Sequence, residues 1–188
     1  MDTITLLTVV CAALLLLVGM VLFNTMVGRK NRVQFAFSGI DTQLKKRFDL
    51  IPNLIATVER YMRHEQQVLL QLTSLRSQAV RGGSETDDLV KLDNQLTSAL
   101  RSVFALAENY PQLRASENFI QLQGALNETE EQIAAARRAY NAAVTDYNNG
   151  CEMFPLSLVA RMMGYRTRLW FEISEAERQN IKVRGLWS

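Results

Sequence analysis

Apolar residues recur at spacings of three and four along the stretch from Phe37 to Ala79, which is the period of one face of an α-helix. Two charged residues, Arg47 and Glu65, occupy positions of the same series. The pattern predicts a long helix that reaches about Val80 and has neighbouring helices covering its stripe. The apolar members of the stripe are Phe37, Ile40, Leu44, Ile51, Leu54, Val58, Tyr61, Val68, Leu72, Leu75 and Ala79.

Pro52 interrupts this series. Proline has no N–H to donate to the carbonyl of Phe48, and its ring crowds the preceding turn, so the helix either kinks at Pro52 or ends and restarts there. Asp49 could cap a restart, and Asn53 could satisfy a freed backbone group. Because no glycine lies near Pro52, a kink or a tight restart is favoured over a reversing loop.

Two more helical stripes follow the turn sequence Gly82-Gly83-Ser84. One helix is predicted from Glu85 or Thr86 to about Asn109, and Pro111 follows its end. The other is predicted from about Ser116 to Asn149, with Gly150 as its stop. The fold class is therefore all-α, an antiparallel bundle with three long helices, or four if the chain restarts at Pro52. Their apolar positions are Leu89, Leu92, Leu96, Ala99, Val103 and Leu106, then Phe119, Leu122, Leu126, Ile133, Tyr140, Val144 and Tyr147.

The N-terminal stretch has a different pattern, with no charge from Thr3 to Gly28 and an almost continuous apolar run from Ile4 to Phe23. About 20 such residues cross the hydrocarbon core of a bilayer as a helix. A cleaved signal peptide would have a basic start and a small-residue cleavage site, whereas here Asp2 precedes the run and no Ala-x-Ala follows. The sequence predicts a retained transmembrane helix.

Three cations, Arg29, Lys30 and Arg32, follow the apolar run directly. By the positive-inside tendency, the N-terminus faces outward and the helical domain lies in the cytoplasm. The same cations are predicted to contact anionic lipid head groups.

The end of the chain predicts a short helix, Leu156 to Met163, closed by Gly164. Beyond it, RLWFEI and IKVRGLW are either short strands or an irregular tail packed by Trp170 and Phe171. The predicted organisation is an anchor over residues 1–28, a helical bundle over 29–164 and a tail over 165–188.

Composition narrows the classes of function. The net charge of +2 over 188 residues argues against a nucleic-acid-binding protein. Cys11 and Cys151 cannot make a disulfide framework. His64 is the only histidine, so zinc-protease and di-iron patterns, which need more, are absent. No catalytic group, metal site or cofactor is predicted, and we expect no enzymatic activity.

The two charged stripe positions need partners, because burying an unpaired charge is costly. Arg76 and Arg137 are candidate partners for Glu65. Glu130, Glu131 and Asp49 are candidate partners for Arg47. We interpret these residues as inter-helix ion pairs that fix helix register, the alternative being a polar patch used by a partner protein.

Three blocks of this sequence carry a family resemblance: IDTQLKKRFDLIPNLIATVERYMRHE, AENYPQLRASENFIQLQGALNETEEQIAAARRAYNAAVTDYN and FPLSLVA. In this order they resemble the LemA family of bacterial proteins. One departure is Phe37, where that family usually has tryptophan. The resemblance implies one N-terminal membrane helix, a helical domain and a location in the bacterial inner membrane. It implies no particular biochemical activity.

These observations lead to the hypothesis of a membrane-anchored helical scaffold or regulator that contacts a membrane-associated protein partner. The predicted contact residues are the charged and polar ones of the signature stretch, namely Asp41, Lys45, Arg47, Asp49 and Asn53. The stripes and the membrane tether also favour self-association. Two alternatives remain open: an enzyme or ligand-binding protein with a polar pocket between helices, and a lipid-binding homo-oligomer that organises membranes.

Overall fold

A computed structural model describes residues 2–62, 64–80 and 86–171, and within these ranges the chain is helical and without strands. This confirms the predicted all-α fold with a long apolar N-terminal helix. The chain divides into two compact units, unit 1 (residues 1–40 and 136–170) and unit 2 (residues 41–135 and 171–188). The helices are α1 (Thr3–Glu59), α2 (Gln66–Val80), α3 (Thr86–Ala107), α4 (Pro111–Arg114), α5 (Glu117–Glu152) and α6 (Leu156–Met162).

Helix α1 contains both the apolar N-terminal run and the first part of the signature stretch in 57 residues. Pro52 lies inside this helix, so the chain does not restart there and that route to a fourth long helix is not observed. The helix ends instead at Glu59, and α2 begins at Gln66. The prediction of one helix reaching Val80 was therefore wrong in this region.

The turn that follows Glu59 is stabilised by two backbone hydrogen bonds and by the buried side chain of Met62. The amides of Tyr61 and Met62 both donate to the Val58 carbonyl, at 3.0 and 2.9 Å. Met62 is buried, which turns the chain toward the core and out of the helical path. Tyr61, predicted on the stripe, lies at this turn and is 37% exposed, so it is not a core residue.

Unit 2 buries the predicted stripes of three helices. Ile51, Leu54 and Val58 of α1 are buried, and α2 packs against α3 through buried leucines such as Leu72 and Leu96. Burial of these side chains is the main stabilising contribution, at about 25 cal/mol per Å² of apolar area removed from water. Phe104 and Phe119 add an edge-to-face aromatic pair with 6.0 Å between ring centroids.

In unit 1, α1 and α5 pack antiparallel. The Phe37 ring lies 6.0 Å from the Tyr140 ring, while Arg29, two turns earlier, contacts Asp146. Gly150 is buried against α1, where an added Cβ would lie 3.0 Å from the Met26 sulfur. Gly150 therefore allows a close helix approach, and α5 continues through it to Glu152 instead of stopping there as predicted.

The remaining part of unit 1 is a turn, α6 and an irregular segment. The Phe154–Pro155 peptide is cis, and Gly164 adopts φ +69° after α6, as its predicted role as a stop requires. Residues 165–171 have no regular secondary structure, which agrees with the irregular alternative for this part of the tail. The predicted turn at Gly82-Gly83-Ser84 and the IKVRGLW segment lie outside the described residues.

Candidate functional site

The first part of α1 exposes its entire apolar surface. Residues 3–25 are exposed apart from the half-buried Leu22, and Met26 is the first buried residue of the helix. The most apolar window has a mean hydropathy of 3.0 and is 0% buried. This helix is long and apolar enough to cross a membrane, and its exposure excludes a core helix within the described fold.

The cations that follow the apolar run are held mainly by the protein itself. Arg29 Nη1 donates to the Asp146 carbonyl oxygen at 2.6 Å. Lys30 Nζ lies 5.2 Å from the centroid of the Tyr165 ring, a cation–π geometry. Arg32 is exposed. Of the three predicted lipid contacts, Arg32 is thus the cation whose side chain has the greatest access to its surroundings.

The segment after α6 returns along α5 and is fastened there by side chains. Asn148 exchanges two hydrogen bonds with the backbone of Arg168, donating through Nδ2 and accepting through Oδ1, both at 2.9 Å. The Arg168 guanidinium lies 5.4 Å from the centroid of the Tyr147 ring. Trp170 Nε1 donates to Thr145 Oγ1 at 3.0 Å. These contacts fix the irregular segment without a strand partner.

Tyr147, which is buried, and Cys151, which is half-buried, form a hydrogen-bonded pair one turn apart on α5. Burial, and then the hydrogen bond to Cys151, raise the pKa of Tyr147 to about 12. Burial also raises the pKa of the Cys151 thiol, and the hydrogen bond from Tyr147 offsets part of that effect. A thiol with a raised pKa is a poor nucleophile at neutral pH, so Cys151 is a structural group in this unit.

Arg47 joins three helices of unit 2 in a buried polar cluster. Its Nη1 donates to Asp93 Oδ1 at 2.7 Å and to Thr97 Oγ1 at 3.0 Å, and its Nη2 lies 2.6 Å from Glu130 Oε2. Arg47 is 3% and Asp93 0% exposed. The partner Glu130 agrees with the sequence-based expectation. Asp93 and Thr97, spaced by four on α3, were not anticipated.

The other predicted contact residues lie on the outer face of α1. Asp41, Lys45, Asp49 and Asn53 are all exposed and follow one another at intervals of four, which places them in one row along the helix. We call this set the α1 polar row. Arg47 belongs to the opposite, buried face of the same helix, so the structure does not place it with the row.

A groove of about 680 Å³ lies in unit 2 where α1 ends and α2 begins. Its lining is mixed: apolar side chains lie beside the charged Glu59 and Arg60 and the polar Gln66 and Thr73. No pattern in the sequence indicates this groove, because it forms only where the chain leaves the helix after Glu59. Its apolar lining includes Ile55, Ala56, Met62, Leu69 and Leu70.

His64 and Glu65 lie between the end of α1 and the start of α2. His64 is exposed, and Glu65 accepts a long hydrogen bond, 3.5 Å, from the hydroxyl of Tyr110. Tyr110 is thus a partner of Glu65 that the sequence analysis did not name. Over residues 2–62, 64–80 and 86–171, no group of three or more His, Cys, Asp or Glu side chains is arranged to hold a metal ion.

Comparison with known proteins places this architecture in a family. Protein LemA from Metamycoplasma hominis is 27% identical over 163 residues, covering 87% of this chain and 74% of that protein. Magnetosome protein MamQ 2 from Paramagnetospirillum magneticum is 23% identical and MamQ from Magnetospirillum gryphiswaldense 21%. These alignments cover 80% and 79% of this chain, and the chain spans 64% of the length of either MamQ protein. The LemA family profile matches residues 36–184, and the chain belongs to the LemA family.

Proposed function

We propose that this protein is a membrane-anchored helical scaffold or regulator that acts by contacting a membrane-associated protein. The observation that carries the proposal is the continuity of α1. One helix holds an apolar segment that is exposed on all sides and then, from Met26 onward, contributes buried residues to the folded units. Such a helix fixes the folded part at a short distance from the bilayer, where its partners would also reside.

The contact surface of this proposal is the α1 polar row. Its four side chains are exposed, lie on one face and carry both signs of charge, so they can form charge-assisted hydrogen bonds with a complementary surface. Arg47 contributes indirectly, because its ion pairs hold α1 against α3 and α5. The proposal assigns no catalytic step to the protein.

The proposal includes an orientation in the bacterial inner membrane. Arg29, Lys30 and Arg32 flank the apolar segment on the side of the folded units, and positively charged flanks favour the cytoplasmic side. The helical domain is therefore proposed to lie in the cytoplasm with the N-terminus outside. Arg32, being exposed, would contact lipid head groups.

The proposal is tested by site-specific photocrosslinking in native membranes. A photoreactive residue replaces Lys45 in the full-length protein, and an equivalent residue at the exposed Glu131 of α5 serves as the matched control. We expect a specific protein adduct from position 45 that disappears when Asp41, Asp49 and Asn53 are replaced by Ser, Ser and Ala. If position 45 yields only self-adducts that survive these substitutions, the partner claim fails and homo-oligomeric assembly replaces it.

The groove of unit 2 favours a second candidate function, binding of a small amphipathic ligand. Its lining combines apolar side chains with a carboxylate and a guanidinium, the combination that small-molecule sites use for affinity and orientation. An amphipathic probe bearing a photoreactive diazirine should label Ile55 and Leu70 in the wild-type protein. Ala56→Trp, which fills the groove, should abolish that labelling, and labelling that is unaffected by Ala56→Trp would exclude a groove site.

A further inference from the structure

The turn before α6 and the outer face of α6 expose four large apolar side chains. Met153 is 62%, Phe154 79%, Leu158 55% and Met162 88% exposed. Leu158 and Met162 are four residues apart on α6 and share one face of it, whereas Met153 and Phe154 lie in the turn directly before this helix. We call these four residues the α6 patch. The contacts that hold unit 1 together leave them uncovered.

The α6 patch lies close to the point where the apolar run of α1 ends. Gly150 of α5 packs against Met26 and Arg29, which are the first residues of α1 after the exposed apolar segment. Helix α5 runs antiparallel to α1, so its last residues continue toward that segment. The Met153 amide still donates to the Asn149 carbonyl at 2.8 Å, so the helical hydrogen bonding of α5 reaches Met153, almost one turn beyond Gly150.

The residues that follow α6 are also held next to the part of α1 that follows its apolar run. The Tyr165 amide donates to the Ala160 carbonyl at 2.8 Å, and the Tyr165 ring lies under the Lys30 ammonium. The chain therefore enters this region beside Met26 and leaves it beside Lys30. Helix α6, of 7 residues, lies between these two points, at the end of the apolar segment.

Charge near the patch complements an anionic membrane surface. Arg161, on the same helix as Leu158 and Met162, is exposed, as are Arg32 and Arg166. The exposed Glu152, directly before Met153, is the one acidic residue between Gly150 and Phe171, so the charge of this segment is positive. A short apolar face with neighbouring cations is the composition of segments that lie in the interface, with their apolar side chains about 5–10 Å into the boundary between head groups and acyl chains.

We propose that the α6 patch is a second membrane contact, which inserts Met153, Phe154, Leu158 and Met162 into the interface of the bilayer that α1 crosses. This inference rests on the proposed membrane anchoring by α1. It adds that unit 1 contacts the lipid surface directly and is not attached to the membrane through α1 alone. Two points of attachment would restrict rotation of unit 1 about the axis of α1.

The inference is tested by depth-dependent quenching of the full-length protein in lipid nanodiscs that contain anionic lipid. Cys11 and Cys151 are first replaced by serine, and an environment-sensitive fluorophore is attached at one new cysteine at a time. The positions are Met162→Cys in the patch, Leu15→Cys in the apolar segment of α1 and Ala142→Cys, an exposed position of α5 in unit 1. Quenchers are lipids with a nitroxide either near the head group or near the end of the acyl chain.

We expect the label at position 162 to lose fluorescence mainly to the shallow nitroxide, the label at 15 mainly to the deep one, and the label at 142 to neither. Phe154→Asp combined with Leu158→Asp should reduce the quenching at 162 and leave that at 15 unchanged. If position 15 is quenched and 162 is not, the patch inference is wrong and the anchor stands. If neither is quenched, the anchor itself fails. A blue-shifted label at 162 without quenching would mean that a protein or a second copy covers the patch, and would also overturn the inference.

Discussion

Arg47 shows how a single charged residue can connect three helices. Its guanidinium reaches Asp93 and Thr97 on α3 and Glu130 on α5, and burial removes the water that would otherwise solvate it. A buried ion pair contributes little net stability compared with an apolar replacement, but removal of one partner leaves an uncompensated charge. We therefore propose that the cluster fixes the register of the three helices more than it adds net stability.

Asp93→Ala should destabilise the protein by about 3 kcal/mol, because it leaves the Arg47 charge buried with Glu130, a half-exposed partner. The measurement is the free energy of unfolding in mild detergent, from denaturant titration followed by far-UV circular dichroism. The matched control is Glu128→Gln in the exposed Lys46–Glu128 pair, where a change within about 0.5 kcal/mol is expected.

The triple variant Arg47→Met, Asp93→Leu and Glu130→Gln should recover most of the stability lost in Asp93→Ala, because it replaces the ion pair by apolar groups of similar size and leaves no charge at position 130 to compensate. If Asp93→Ala costs no more than the exposed control, the buried pair does not hold these helices.

The raised pKa of Tyr147 predicts a specific sensitivity to alkaline pH. Below pH 10 the tyrosine is protonated in both the folded and the unfolded state, so its full contribution to the free energy of unfolding is present and does not change with pH. Between pH 10 and about 12 the unfolded chain ionises while the folded protein retains the proton, so stability falls as pH rises. The loss should be on the order of 2 kcal/mol at the upper end.

Tyr147→Phe should lack this part of the alkaline destabilisation. The measurement is the difference in unfolding free energy between wild type and Tyr147→Phe, from neutral pH to about 12. The other ionisable groups are shared and cancel in the difference, except Cys151, whose pKa depends on the hydrogen bond from Tyr147. The comparison is therefore repeated with Cys151→Ala in both proteins. A difference that stays constant across this range would contradict the assigned pKa.

At the scale of elements, helix periodicity predicted which faces are buried but not where α1 ends. Ile40, Leu44, Ile51, Leu54 and Val58 are buried as expected. The apolar stripe continues in phase from Arg60 to Glu65, and neither proline nor glycine marks a break there. The helix nevertheless ends, because the chain turns after Glu59 through hydrogen bonds to the Val58 carbonyl and buries Met62. Conversely, the strongest breaker in the sequence, Pro52, lies within the helix. The groove depends on this turn, so the sequence could not reveal it.

Gly150 provides a test of the close packing between α5 and α1 in unit 1. Gly150→Leu should destabilise the protein by about 2 kcal/mol, since a side chain there meets Met26 and Arg29 and forces the helices apart. The matched control is Gly124→Leu on the same helix, where nothing lies within 4 Å of an added Cβ. That change should stabilise by up to about 1 kcal/mol through helix propensity.

Thermal unfolding of these two variants in detergent, followed by circular dichroism, is sufficient to compare them. A Gly150→Leu protein that melts with or above Gly124→Leu would show that the contact with Met26 is not tight.

Part of the candidate site could be predicted from the sequence, because helix phase decides which side chains of α1 are exposed. Exposure of Asp41, Lys45, Asp49 and Asn53 follows from their helix phase, and the same phase places Arg47 on the buried side. Its partner Glu130 could be named because charge must be compensated, but Asp93 could not be chosen among the acidic residues without knowing how α3 packs. The contacts of Tyr165 with Lys30 of α1 and of Arg168 with Tyr147 of α5 follow no period, and so left no pattern to recognise.

At the scale of the whole molecule, one helix combines an exposed apolar segment with a second part, from Met26 onward, that contributes buried residues to the fold. The proposed orientation rests on the cations that follow this segment, Arg29, Lys30 and Arg32. A green fluorescent protein fused to the C-terminus should be fluorescent, and alkaline phosphatase fused at the same site should be inactive, because the C-terminal side is predicted to stay in the cytoplasm.

The opposite pattern of reporter activities would reverse the orientation without removing the anchor. Replacing Arg29, Lys30 and Arg32 with glutamine should weaken the cytoplasmic preference, whereas replacing the exposed and more distant Lys45 and Lys46 should leave it intact.

The proposed function depends above all on one continuous helix that passes from the bilayer into the fold. A nitroxide scan of single cysteines along α1 in lipid nanodiscs, in a background with Cys11 and Cys151 replaced by serine, examines this continuity position by position. From residue 4 to 23 we predict high accessibility to oxygen and low accessibility to a water-soluble relaxing agent at every position, since the segment is exposed on all sides to lipid. From Met26 onward, accessibility should follow the helical period, with minima at Met26, Val33 and Ile40. Access of the water-soluble agent to positions 4–23 would contradict a membrane-spanning α1.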